Sequence, residues 1–377
     1  MTILAPTLLD EIRALSDKTV NFRREMYDRF IGRYTAFASD DSAMVLAIKN
    51  SLTPGMERLL PTMDEEAQID TAINVTNHSM NSAFKLHEYP AWLQPLVRLF
   101  VPEIAGVDKC RQTTSRMLRP LIEQRLKDMQ SSGREFKAPD DMIQWLITHA
   151  PSNRVSDVAW HTTQHLVLNI AAMHTTSSQL SGTLFALAAR PNYVQPLREE
   201  MEELLLKHGA LTKKCLHEMI KLDSFLREVQ RLSPPGLVSV NRKVLRPVTL
   251  STGLHLPAGT SIAFPSDAVN RDPELYERPS DFDGFRFARL RTKPGSENSF
   301  QFTSSNASGF SFGHGKAACP GRWFASAELK ITLVRVLLEF DLKLEESGER
   351  PLHGFVEVIG GPDPARRILF KRRTRSN

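Results

Sequence analysis

Three stretches of this chain carry residues that could do chemistry: a cysteine on a glycine-rich loop, a glutamate and an arginine three residues apart, and a threonine pair in a long uncharged segment. The cysteine is Cys319, within Phe312-Gly313-His314-Gly315-Lys316-Ala317-Ala318-Cys319-Pro320-Gly321-Arg322-Trp323-Phe324-Ala325. A helical pattern from about Arg322 to Phe340 follows it, so N-terminal N–H groups and the positive dipole end face the sulfur. Gly313, Gly315 and Gly321 permit tight turns and the close approach of a flat ligand. Cys110 and Cys215 are distant and His314 is a lone histidine, so no ligand pair has zinc spacing. One soft protein ligand suits a metal that brings its other ligands with it, as haem iron does with an axial thiolate. The plain alternative is a buried structural cysteine at a turn. A zinc or nucleophilic-cysteine enzyme is a more distant one.

The second stretch, Leu222-Asp223-Ser224-Phe225-Leu226-Arg227-Glu228-Val229-Gln230-Arg231, sets Glu228 and Arg231 on one helical face. An exposed pair there would contribute little. The third runs from Asp157 to Pro191 with no Asp, Glu, Lys or Arg between Asp157 and Arg190. Its polar residues make it a central buried helix rather than a membrane span, roughly 45 Å long. In its middle, Ala171-Ala172-Met173-His174-Thr175-Thr176-Ser177 places hydroxyls side by side, where they can bond to i−4 carbonyls and open the ladder locally. They are equally readable as ordinary helical polar residues.

Together the stretches resemble the cytochrome P-450 family. Phe312, Gly315, Cys319, Gly321 and Ala325 match its haem-thiolate loop, Phe-x-x-Gly-x-x-x-Cys-x-Gly-x-x-x-Ala. Where the family usually carries Arg or His two residues before the cysteine, toward a haem propionate, this chain has Ala317. Glu228 and Arg231 match the family's Glu-x-x-Arg, and Arg286 in Phe282-Asp283-Gly284-Phe285-Arg286-Phe287 matches its third partner. The resemblance implies a buried network that assembles the haem pocket. Thr175 takes the place of the threonine that supports proton delivery to dioxygen, with His174 in place of the usual acid. The Ala-Ala-x-His-Thr-Thr-Ser variant is similar to fungal members acting on terpenoids and related secondary metabolites, the ent-kaurene oxidase type among them. Arg242 stands where a propionate-binding arginine is expected.

The resemblance implies a mainly α fold with small β-sheets, haem b as cofactor and an apolar small-molecule substrate. It also implies O2 as co-substrate and NADPH electrons delivered by a reductase docking near Arg322 and Lys330. Family members usually sit at the cytoplasmic face of the endoplasmic reticulum membrane through an N-terminal anchor. This chain shows no such anchor and is expected to lack the first helix and first sheet, which leaves a cytoplasmic location open. It is expected to form one domain over residues 1–377, shortened near 60–70, where a Trp-x-x-x-Arg helix would normally contact a propionate. None of Trp92, Trp145, Trp160 or Trp323 has Arg four residues on. A truncated, catalytically silent relative with weak or no haem binding is the rival expectation.

The elements that must position these groups are legible in outline. The chain has 377 residues, 41% hydrophobic and 24% charged, with net charge +5 and three cysteines. Those values describe a globular protein without a disulfide framework or a nucleic-acid-binding basic block. Lys371-Arg372-Arg373-Thr374-Arg375 reads as a solvated tail. From Thr7 to Leu52 the pattern is helical, with Leu8, Leu9, Ile12 and Leu15 on one face and Phe22, Met26, Phe30 and Ile31 on another. Asp108–Gln130 and Asp140–Ala150 read as helices. Leu237–Val240, Val248–Leu250, Leu254–Leu256 and Ser261–Phe264 read as short strands, and Leu342–Leu344 with Ile368–Phe370 as a terminal hairpin.

Overall fold

The computed structural model describes residues 1–35, 42–59, 69–132, 136–345, 353–356 and 358–374. It is mainly helical with four small sheets among the described residues. The chain divides into two compact units: Met1–Val20, Met56–Pro61 and Thr175–Asn377 form one, Asn21–Gly55 and Thr62–His174 the other. Most of the shortened stretch expected near 60–70 lies outside the described residues.

In the first unit, the strand Ser261–Phe264 lies between Thr2–Ile3, parallel to it, and Ser239–Val244, antiparallel. Thr2 and Ile3 alternate too briefly to register as a strand in the sequence pattern. Leu4, Leu8, Leu9 and Ile12 pack against Val240, Val244, Ile262, Phe264 and Phe310, so the apolar face expected of the first helix does form a core. The strand Ser239–Val244 carries one extra residue. Ser239 pairs with Phe264 and Arg242 with Ile262, and Val240 within the bulge has φ of 53°. A β-branched residue in that region is strained, and bulges of this kind re-aim side chains. The terminal hairpin forms as expected, Phe340–Leu344 pairing with Ile368–Arg372. Lys371 and Arg372 lie on that strand and are exposed, as expected of a solvated end.

The second unit is built on helices Ile69–His87 and Pro102–Ser132, which pack along each other, with Ser42–Ala47 against Met142–His149. Gly106 allows close approach, since a Cβ there would stand 2.6 Å from the His78 ring. Between these two helices runs an exposed apolar segment that sequence patterning did not single out, with Trp92 77% and Phe100 82% exposed and Leu96 and Leu99 beside them. Among the described residues no helix is long and apolar enough to cross a membrane.

This unit also contains a pH-sensitive pair. His161 is buried with Nε2 2.9 Å from the Val155 carbonyl, and His165 Nδ1 lies 2.9 Å from the His161 carbonyl. Burial pushes both imidazoles below the ordinary value of 6.5. The folded chain keeps them neutral while the unfolded chain takes up protons below that pH, so stability present above 6.5 is lost as pH falls. The urea midpoint is expected to drop between about pH 7 and 5, and H161Q/H165Q should flatten the drop. A midpoint equally acid-sensitive in the double variant would remove these histidines from the account.

Candidate active site

The cysteine loop closes on itself through backbone bonds. The Gly313 N–H donates to the Phe310 carbonyl at 2.9 Å, and the Cys319 N–H to the Phe312 carbonyl at 2.7 Å. Gly313 and Gly315 have φ of 73° and 68°, a region costly for other residues. A Cβ would also stand 3.2 Å from the Ala317 carbonyl oxygen at Gly313, and 2.4 Å from Arg13 Cγ at Gly315. After one 3-10 turn at Gly315–Ala317, Cys319 is half-buried and the helix Arg322–Glu339 begins. Burial raises the thiol pKa above its ordinary value, while the neighbouring Gly321 and Arg322 N–H groups and the Arg322 charge pull the other way. The Arg322 guanidinium donates to the Cys319 carbonyl at 2.7 Å and lies 3.5 Å over the Trp323 ring.

Arg242 arrives at this loop by way of the bulge. Its guanidinium is buried, donates to the Asn241 carbonyl at 2.8 Å and lies 3.5 Å from that of His314. Burial outweighs the attraction of Asp17 and brings its pKa down to about 10. His314 is held below the ordinary imidazole value, chiefly by burial and with Arg13 and Arg242 adding to it, although Asp10 pulls the other way.

Glu228, Arg231 and Arg286 are brought together as one buried network. Glu228 is 0% exposed and accepts from Arg231 Nε and NH2, both at 2.8 Å, from Arg286 Nε at 3.3 Å and from the Asp283 N–H at 2.9 Å. The arginines also donate to carbonyls of Asn270, Pro279 and Glu277, at 2.7, 2.5 and 2.5 Å. The carboxylate thus fixes the segment 277–286 to the helix Ile220–Leu232. Lys330, expected on a docking surface, is instead buried, with Nζ 2.7 Å from Asp223. Helix Arg322–Glu339 turns that residue inward, and sequence spacing did not reveal its acidic partner on another helix.

The helix Val158–Ala188 runs unbroken through Thr175 and Thr176, so the local opening expected there does not occur. It is buried toward both ends, while His174 and Thr175 are exposed, which corrects the expectation of burial throughout. Desolvation still lowers the His174 pKa below its ordinary value. Gln179, one turn beyond Thr175, donates to the Leu226 carbonyl at 3.0 Å and ties this helix to the one carrying Glu228.

These features fit haem in three respects. The half-buried sulfur stands just before a helix start, the buried Arg242 guanidinium beside the loop suits an anion such as a propionate, and a Cβ at Gly321 would meet no protein atom within 4 Å. Among the described residues no three His, Cys, Asp or Glu converge to hold a metal ion.

The sequence profile of the cytochrome P-450 family matches residues 42–366. The chain is 33% identical over 424 residues to the cytochrome P-450 monooxygenase BOA4 of Botryotinia fuckeliana, covering 99% of this chain and 85% of that protein. It is 38% identical over 317 residues to the cytochrome P-450 monooxygenase olcJ of Penicillium canescens, covering 84% of this chain but 59% of that relative's length. A retinoic acid-bound cyanobacterial CYP120A1 structure shares the fold, with TM-score 0.56 and 20% identity over 93% of this chain and 78% of that one. The chain belongs to the cytochrome P-450 family, a family of haem oxidoreductases, and its fungal relatives are monooxygenases.

Proposed function

We propose that this chain is a haem-thiolate monooxygenase that inserts one oxygen atom from O2 into an apolar small molecule, a terpenoid or related intermediate of fungal secondary metabolism. The observation that carries the reading is the Cys319 loop, in which a half-buried sulfur sits three residues before a helix start on a loop closed by the Cys319 N–H to Phe312 carbonyl bond. Haem b, when bound, would supply the oxidising chemistry; Cys319 would hold its iron through the sulfur, with electrons from NADPH arriving through a partner reductase. Arg242 would bind a propionate, and Phe312, Gly315 and Gly321 would shape the loop around the sulfur. Glu228, Arg231 and Arg286 hold the surrounding segments in place. The Thr175 hydroxyl holds a proton at Oγ1, and His174, neutral near pH 7 because its pKa is lowered, passes the next one.

The single haem-thiolate domain over residues 1–377, shortened near 60–70, is part of this reading. So is a location at the endoplasmic reticulum surface, which the exposed apolar run around Trp92 and Phe100 supports. One observation favours a second reading, a shortened, catalytically silent relative with weak or no haem binding. The 424-residue alignment exceeds this chain's own 377 residues, so the relative has positions with no counterpart here.

The test is the carbon-monoxide difference spectrum of the reduced, haem-loaded chain. A thiolate-type Soret band in the parent and its loss in C319S are expected. Haem bound equally in both, with the same spectrum, would refute Cys319 as ligand. A thiolate band without product formation across apolar substrates would favour the inactive relative.

A further inference from the structure

Asp223 is a buried carboxylate that the proposed chemistry does not use, and it is bonded to both limbs of the cysteine loop. It lies on the helix Ile220–Leu232 and is 4% exposed. Oδ2 accepts from the Phe302 N–H at 2.8 Å and lies 3.3 Å from Arg291 NH1, while Oδ1 is 2.7 Å from Lys330 Nζ. The Phe302 ring meets the Phe312 ring edge-on with centroids 5.2 Å apart, and the Phe312 carbonyl accepts the Cys319 N–H. Lys330 lies on the helix that begins three residues after Cys319 and also donates to the Leu216 carbonyl at 2.9 Å. One turn further along the Asp223 helix, Arg227 donates to the Gln301 carbonyl at 2.7 Å and grips the same incoming limb.

We propose that Asp223 is a positioning residue for Cys319: one carboxylate fixes the incoming limb through Phe302 and Phe312 and the outgoing helix through Lys330, and so sets where the sulfur stands. The inference rests on the haem-thiolate reading only for its functional meaning, because the geometry concerns the polypeptide alone. Two buried cations, Lys330 and Arg291, share this anion, and a buried charge that loses its partner forces local rearrangement. The segments that rearrange are the two limbs and the end of the helix Arg286–Arg291, since these are what Asp223 contacts. Arg198 supplies the comparison. It is buried and donates to the carbonyls of Leu337 and Phe340 at 2.7 and 2.8 Å, at the far end of the same helix.

The full-length chain would be prepared as the parent, D223N, K330M and R198M, with each urea midpoint measured. Two readouts follow: iodoacetamide alkylation of Cys319 in haem-free protein, followed by mass spectrometry, and the thiolate-to-thiol band ratio of the carbon-monoxide complex. D223N is expected to alkylate Cys319 at least roughly tenfold faster, as a local opening does, and to shift the band ratio toward thiol. K330M should move both readouts in the same direction and less far, and it serves alone if D223N does not fold. R198M is expected to lose stability without changing either readout. Cys319 alkylation that follows the urea midpoint across all the variants, or is unchanged in D223N and K330M, overturns the positioning role. A parent chain without a thiolate band would defeat the haem-thiolate reading, while alkylation would still decide whether Asp223 positions the sulfur.

Discussion

E228Q is expected to cost the fold about 3–5 kcal/mol, the penalty for leaving buried charges without their counterion. Glutamine keeps the shape of Glu228 but removes the anion that Arg231 meets at 2.8 Å and Arg286 at 3.3 Å. Both guanidiniums keep backbone carbonyls around them, those of Asn270, Pro279 and Glu277 among others, so they remain buried and do not reach solvent. The carboxylate also accepts the Asp283 N–H, and its loss loosens the segment that delivers Arg286. Urea unfolding monitored by circular dichroism is the measurement. A loss below about 1 kcal/mol, the range of an exposed pair, would mean that the network does not hold these segments together.

R242M is expected to weaken haem binding roughly tenfold or more. The Arg242 guanidinium is buried beside the cysteine loop, and burial brings its pKa down to about 10. Methionine of similar length removes a charged hydrogen bond worth about 1.5–3 kcal/mol to an anionic partner. A Soret titration with haem is the measurement. Unchanged haem affinity would remove Arg242 from the propionate site.

Much of the site was legible because its parts are local in sequence. The spacing from Phe312 to Ala325 carries its own turn chemistry in Gly313 and Gly315, and the helix after Cys319 ends within a residue of its expected limit. Glu228 and Arg231 are neighbours by helical geometry alone, and the family pattern supplied Arg286. What sequence did not reveal depends on contacts between distant elements. Lys330 looked like a surface cation because its partner Asp223 lies on another helix. Thr2–Ile3 is too short to announce itself and exists as a strand because Ser261–Phe264 receives it. The exposure of His174 and Thr175 falls in the middle of a helix whose composition reads as buried throughout.

The bulge at Ser239–Arg242 means that the chemistry at this sheet edge is set by counting residues as much as by choosing them. With regular pairing from Ser239 onward, Asn241 would stand opposite Ile262 in place of Arg242. An amide would then hold the register position of the guanidinium, with every amino acid unchanged. A length change of one residue here is therefore a change of charge at the loop, and Val240, held at positive φ, bears the conformational strain that keeps the cation in place.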